Sequence, residues 1–287
     1  MAAGADAPLL YVCITHIPLP LEFPPYVTPL YVGQAQGEGR LNLRDLAPDW
    51  EVHHPLLGGA AGTFAVKRLL QRDHPQATSV GLCQYRKFVS RRRVSRVVAK
   101  SYASMDVVTK SALPVERFAQ WMAPGEEPFL VSRLLSVRDE GGYLGQYGNA
   151  HRAQDLLRFS AEAVAQGVID SREAHAFLTE GELIPGGIEL GVFPVDFWLS
   201  NISAVEAVVR ACIERYPAAL DGYQARAWAF CAERLGSYLL LRHFRNGRRP
   251  ALDRLGRAAP SHWSRRFVGR LNLITEDDSP DYAVGGT

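Results

Sequence analysis

Ser79-Val80-Gly81-Leu82-Cys83-Gln84-Tyr85-Arg86-Lys87-Phe88 opens as an apolar run and ends in a cationic corner. Val80, Leu82 and Cys83 have the character of a short buried strand. In open α/β sheets ligands gather at the carboxyl ends of strands. A ring and two cations at such an end would face an anion. An ordinary strand followed by a solvated turn has the same composition, and these residues alone leave both readings open.

The chain on either side reads as α/β first and helical later. Leu9 to Ile14 is a continuous apolar run of strand length, stopping at Thr15-His16. Pro18, Pro20, Pro24, Pro25 and Pro29 then exclude a helix and favour an extended loop. Leu30-Tyr31-Val32 reads as a short strand before the turn Gly33 to Gly39, and Thr63 to Gln71 as a helix leading into the Ser79 strand. Downstream, Met105 to Thr109, Phe129 to Leu135 and Ile188 to Phe193 are strand candidates. Val115 to Met122 and His151 to Gln166 read as helices, the second with Leu156, Leu157, Phe159 and Val164 as its apolar stripe. Asp170 with Glu173, and Ser203 with Glu206, have capping-box spacing. Asp221 is placed to cap a last helix reaching about Phe244, with Trp228, Cys231, Leu235 and Leu239 on one face. These alternations predict a central, mainly parallel sheet flanked by helices, a compact unit over residues 1–245, and a basic, polar extension over 246–287.

The chain of 287 residues is 47% hydrophobic, enough for a sizeable core, with a net charge of only +2. It has no apolar run of about 18 residues, the length of a membrane-spanning helix. Met1 to Pro8 lacks the charged start and apolar centre of a signal peptide. Cys13, Cys83, Cys212 and Cys231 are widely spaced in apolar runs, which favours reduced core thiols and predicts a cytoplasmic protein. Basic residues concentrate over Arg86 to Arg96 and Arg242 to Arg270. Each cluster could meet phosphate, nucleic acid or an anionic membrane, or be merely a solvated face. No zinc-finger spacing, RNP motif or basic zipper supports nucleic acid as the partner.

The common catalytic signatures are missing: no Walker A loop, no G-x-G-x-x-G after a strand, no G-x-S-x-G and no H-E-x-x-H. His53-His54 reads as a surface loop, because adjacent residues do not converge on one metal. No D-x-D follows a strand, and Asp277-Asp278 lies in the tail.

Several segments, in order, are similar to a known family. These are Val80 to Phe88, the opening strand with Pro29 to Gly33, Gln146-Tyr147 with His151 and Asp155, Ile188 to Trp198, Gly222-Tyr223-Gln224-Ala225-Arg226, and Ala232-Glu233-Arg234-Leu235. Together they span most of residues 9–244 and resemble the bacterial glycosyltransferases grouped as the DUF4422 family, which are related to the GT-A fold. The chain departs from that pattern at Gln84, where the family has His, and over Gly58 to Val66, where it has an Asn-rich segment and a Glu-Leu-Thr step.

The resemblance implies a GT-A-like fold and transfer of a sugar from a nucleotide-sugar donor, such as a UDP-sugar, to a glycan or lipid-linked acceptor in cell-surface polysaccharide synthesis. It places Tyr85, Arg86 and Lys87 where most GT-A enzymes bind a metal, so the expected enzyme uses no metal and no further cofactor. Arg binds phosphate bidentately and Lys as a point charge. Thr15, His16, Gln224, Arg226 and Glu233 complete the expected donor-binding set, and Asp155, His151 and Glu189 the catalytic one. Asp155 lies four residues after His151 and reads equally as a helix-surface pair. Glu233 with Arg226 reads also as a buried ion pair fixing the helix. The basic stretch 242–270, with Trp263 and Phe267, is either a peripheral contact with the inner membrane face or a tail packed on its own domain. The alternative to an enzyme is a non-catalytic protein of the same fold that holds polysaccharide, anionic lipid or nucleic acid on its basic surface.

Overall fold

A computed structural model of the chain describes residues 9–19, 22–94, 100–101, 105–113, 120, 122, 128–216, 222–246 and 268–275. Its strands are β1 (Leu9–Thr15), β2 (Val27–Tyr31), β3 (Ser79–Gln84), β4 (Lys87–Ser90), β5 (Lys100–Ser101), β6 (Met105–Thr109), β7 (Leu135–Ser136), β8 (Glu182–Leu183), β9 (Gly191–Pro194) and β10 (Arg270–Thr275). The main sheet runs β2-β1-β3-β4-β10-β6-β5, with β9 also paired to β3, while β7 and β8 form a separate ribbon. β1 is parallel to both neighbours, with Tyr11 opposite Val27 and Gly81. β10 is parallel to β6.

The remaining pairs, β3–β4, β3–β9, β4–β10 and β5–β6, are antiparallel, so the sheet is mixed rather than mainly parallel. The cause at the centre is Tyr85-Arg86. Gln84 pairs with Lys87, so these two residues reverse the chain at once. A parallel continuation would need a crossover of a dozen or more residues. β2 includes Pro29, one of the prolines whose density favours a loop; it is tolerated because β2 is an edge strand.

Alternation along β1 explains the layers. Leu10, Val12 and Ile14 join a core cluster with Phe64 of the Gly59–Asp73 helix, Trp198 and Val209 of the Val195–Arg215 helix, and Leu235 of the Ala227–Asn246 helix. Tyr11 and Cys13 face the other side, where Cys83, Phe88, Val108, Leu190 and Ile274 pack. All four cysteines are buried and free. The second half is more helical, with Ala153–Ala165, Ser171–Leu178, Val195–Arg215 and Ala227–Asn246.

Local signals fared unevenly. Asp170 accepts from the backbone N–H groups of Arg172 and Glu173, and Glu173 accepts from Asp170 N–H, a complete capping box. Ser203 and Glu206 instead lie inside the Val195–Arg215 helix. There Glu206 is a buried brace, accepting from Trp50 Nε1 at 2.6 Å and pairing with Lys67. Leu157 is exposed, off the apolar stripe of its helix. Of the Phe129 to Leu135 candidate, Leu130 and Val131 make only isolated bridges, and β7 begins at Leu135. Ile188 to Leu190 is turn, and β9 starts at Gly191. Most of Val115 to Met122, and Asp221, lie outside the described residues.

The boundary at residue 245 is also corrected. β10 lies between β4 and β6 in the sheet interior, with Leu271, Leu273 and Ile274 buried. Its alternation of apolar residues with Asn272 was submerged in the basic character of the preceding stretch. No described helix is long and apolar enough to cross a membrane. In the stretch 242–270, Arg242 pairs with Glu173, Arg245 with Glu180 and Glu182, and Arg270 with Asp106, so these three cations are engaged within the fold. Arg248, Arg249, Trp263, Arg265, Arg266 and Phe267 lie outside the described residues, as does Asp277-Asp278.

Candidate functional site

Segments distant in sequence meet beyond the carboxyl ends of β1 and β3. The β3–β4 turn brings Gln84 and Lys87, the loop before β9 brings Glu189, and the turn and first part of the Ala227–Asn246 helix bring Arg226, Phe230 and Glu233. All line one cavity of about 120 Å³.

Backbone shape makes this convergence possible. Gly58 has φ +53°, and a Cβ there would lie 2.6 Å from Arg226 Nη2; on Gly59 it would lie 2.9 Å from Gln84 Nε2. The glycines at the departure from the family pattern thus let a helix start press against two polar side chains. Gly186 donates its N–H to Glu233 Oε1 at 2.7 Å, which fixes that carboxylate at the cavity wall.

The cavity mixes charges at close quarters. Burial, reinforced by the Glu233 charge, pushes the Glu189 carboxyl up to about 8, against the opposing pull of Arg226 and Lys87. Burial lowers the pKa of the Lys87 ammonium, with Glu233 opposing. A carboxyl titrating near neutrality is suited to proton transfer, and the cations suit a diphosphate.

Outside the cavity, His16 meets the Tyr85 ring edge-on at 4.7 Å, and Arg86 lies 5.4 Å from the centroid of that ring. His16 has its pKa lowered by burial and then by the Arg86 and Arg226 charges. Thr15, by contrast, is fully buried, and its hydroxyl donates to the Ile17 carbonyl at 2.5 Å. It shapes the turn after β1 and does not line the cavity.

His151, Asp155 and Gln224 form a neighbouring cluster behind Phe230. The His151 ring stacks on Phe230 at 4.4 Å, and Gln224 Nε2 donates to the Ala150 carbonyl at 3.0 Å. Asp155 is buried, with Arg158 at 3.9 Å, and burial raises its carboxyl pKa. None of the three lines the cavity. The helix begins at Ala153, so His151 and Asp155 do not share a helix face. Arg234 bonds Gln146 and the Phe230 carbonyl and lies over the Tyr147 ring, a brace for the same wall.

His54 was missed. It begins the short helix His54–Leu57, and a Cβ on Gly33 would lie 2.8 Å from its ring. Burial lowers its pKa, the Glu51 charge opposes that, and the His16 and Arg226 charges add smaller lowering effects. His53 turns instead toward Trp50, at 5.9 Å between rings. Nothing in the local sequence separates the two histidines; Gly33 and Gly58 carry the signal only once the strands are paired. Among the described residues no three His, Cys, Asp or Glu side chains are grouped to hold a metal ion.

The chain has a glycosyltransferase-like fold. It is similar to the solved apo structure of the bifunctional glycosyltransferase WbbM, with a TM-score of 0.65 over 94% of this chain. The sequences are 13% identical, and this chain spans only 46% of that protein's length. At that identity the likeness speaks for the fold. No family model matches the sequence, and no curated protein matches it.

Proposed function

We propose that the chain is a glycosyltransferase, moving a sugar from a nucleotide-sugar donor such as a UDP-sugar to a glycan or lipid-linked acceptor in cell-surface polysaccharide synthesis. The observation that carries this reading is the convergence of Lys87, Glu189, Arg226 and Glu233, from three separate segments, on one cavity at the end of β3. The resemblance to the DUF4422 glycosyltransferases and the likeness of fold support it.

The cavity, at about 120 Å³, is smaller than the roughly 300–1,000 Å³ that encloses a whole ligand. It therefore takes the reacting end of the donor, and the nucleoside lies outside, against His16 and Tyr85. The bond from the anomeric carbon to the diphosphate breaks, and a bond to the acceptor oxygen forms. Lys87, Arg86 and Arg226 stabilise the charge growing on the departing diphosphate in place of a metal ion. Ionised Glu189 accepts the proton of the acceptor hydroxyl. Thr15, Gln224, His151 and Asp155 act from behind, by holding the walls.

Hydrolysis assayed over a panel of nucleotide sugars, with and without EDTA, tests the reading. Turnover of at least one donor, undiminished by EDTA, is expected. No turnover and no nucleoside diphosphate binding would defeat it, and turnover abolished by EDTA would defeat its metal-free part.

A further inference from the structure

A second concentration of positive charge lies at the other end of β4. Arg91, Arg92, Arg93, Arg133 and Arg270 surround an open cavity of about 430 Å³ whose other described lining residues, Leu134 and Val268, are aliphatic. No acid lines it. Lys87 and Ser90 mark the two ends of β4, so at about 3.3 Å per residue this basic cavity is set off from the first by roughly 10 Å or more.

The arginines are held by a built framework. Gly269 donates its N–H to the Val131 carbonyl at 2.8 Å, and a Cβ on it would lie 2.4 Å from the Ser90 carbonyl oxygen. This close approach draws the start of β10 and the Val131 segment to the end of β4. The Ser90 hydroxyl donates to the Arg92 carbonyl at 2.7 Å and accepts from Asn272 Nδ2 at 2.8 Å, which fixes the turn carrying Arg91 to Arg93. Asp106, only 1% exposed, pairs with Arg270 at 2.7 Å and lies 3.7 Å from Arg93. One buried carboxylate orients two guanidiniums from beneath and leaves the rim strongly positive. Arg92, Arg93 and Arg133 are exposed.

We infer that these five arginines form a second anion site, built for the phosphate or diphosphate group of a ligand other than the sugar donor. Guanidinium forks match phosphate oxygens bidentately, and their planar charge is weakly hydrated, which suits a site used repeatedly by an exchangeable ester. The aliphatic strip gives the neighbouring carbon skeleton somewhere to lie. The inference stands apart from the proposed transfer reaction, because it uses none of the residues that line the first cavity.

Calorimetry of the full chain with inorganic pyrophosphate tests it in a Lys87→Gln/Arg226→Gln background, which weakens the first cavity. Pyrophosphate binding should persist there, and adding Arg92→Gln/Arg133→Gln should weaken it by about tenfold or more per arginine. Arg92→Lys/Arg133→Lys, which keeps the charge but not the forks, should fall between. Exposed substitutions of this kind rarely disturb folding, and near-ultraviolet circular dichroism confirms it. A parallel arm measures co-sedimentation with phosphatidylcholine vesicles, with and without phosphatidic acid. Arginine-dependent binding to pyrophosphate alone assigns a soluble ester, and arginine-dependent binding to phosphatidic acid vesicles alone assigns a lipid headgroup. Binding to neither, or binding unaffected by the arginine substitutions, overturns the site.

Discussion

Ile274 donates its backbone N–H to the carbonyl of Arg86 at 2.7 Å, so the last strand grips the turn that carries the cationic corner. Stability and site are linked through this contact.

A chain ending at Asn246 should therefore fail to fold cooperatively. It lacks Leu271, Leu273 and Ile274, which are 5–6% exposed. Burying an aliphatic side chain contributes about 1.5–3 kcal/mol, so their loss removes roughly 5–9 kcal/mol, against a total stability of about 5–15 kcal/mol. Thermal unfolding followed by circular dichroism checks this, and a melting temperature equal to that of the full chain would contradict it.

Arg86→Ala and Arg226→Ala should each weaken nucleoside diphosphate binding. A lost charge-assisted contact costs about 1.5–3 kcal/mol, which is roughly tenfold to a hundredfold in affinity. Calorimetry is the measurement. Unchanged affinity in both variants would remove the phosphate role from this corner.

Glu189 gives a pH signature of known sign. Its folded carboxyl titrates at about 8 rather than 4.5, so across that window the folded chain keeps a proton that the unfolded chain has released. The linked stability is full below 4.5 and is lost as pH rises through 8. Glu189→Gln, neutral throughout, should melt with the native chain near pH 4.5 and above it at pH beyond 8. A shift of equal size at both ends would refute the assignment. If Glu189 is the base, the same variant should also lose the alkaline rise in transfer rate.

Gly58→Ala should affect both stability and binding. A left-handed φ costs a non-glycine residue about 1–3 kcal/mol, and the new Cβ would collide with the Arg226 guanidinium. The expected result is a lower melting temperature together with diphosphate affinity reduced toward that of Arg226→Ala. Lower stability with intact affinity would show that Arg226 does not depend on this close approach.

Much of the fold could be read from composition. β1, β3 and β6 announce themselves as apolar runs, and the last helix by the buried face of Trp228, Cys231, Leu235 and Leu239. What failed was pairing. The direction of β4 depends on a two-residue turn, and the place of β10 on partners 166–186 positions earlier in the chain; local sequence carries neither. The candidate site shows the same division. Tyr85-Arg86-Lys87 stood out because charge interrupts an apolar run. The meeting of Lys87 with Glu189, Arg226 and Glu233 is a product of tertiary packing, and so is the separation of His151 and Asp155 from the cavity by Phe230. Ser203-x-x-Glu206 misled because a capping-box spacing also occurs by chance within a helix, where Glu206 serves Trp50 and Lys67 instead.

The position of β10 also sets an order of events on the ribosome. β2, β1, β3 and β4 can align while the nascent chain is still being made, since each is synthesised within the first 90 residues. β6 and β5 pair only with each other and with β10 among the described strands. Their joining to the rest of the sheet must wait, through the making of the helical half, for residues 270–275 to leave the exit tunnel. Until then β4 and β6 each present an open edge of unpaired backbone groups, a surface prone to pairing with other chains. The interval between the making of β4 and of β10 is thus one in which two sheet edges stand open at once.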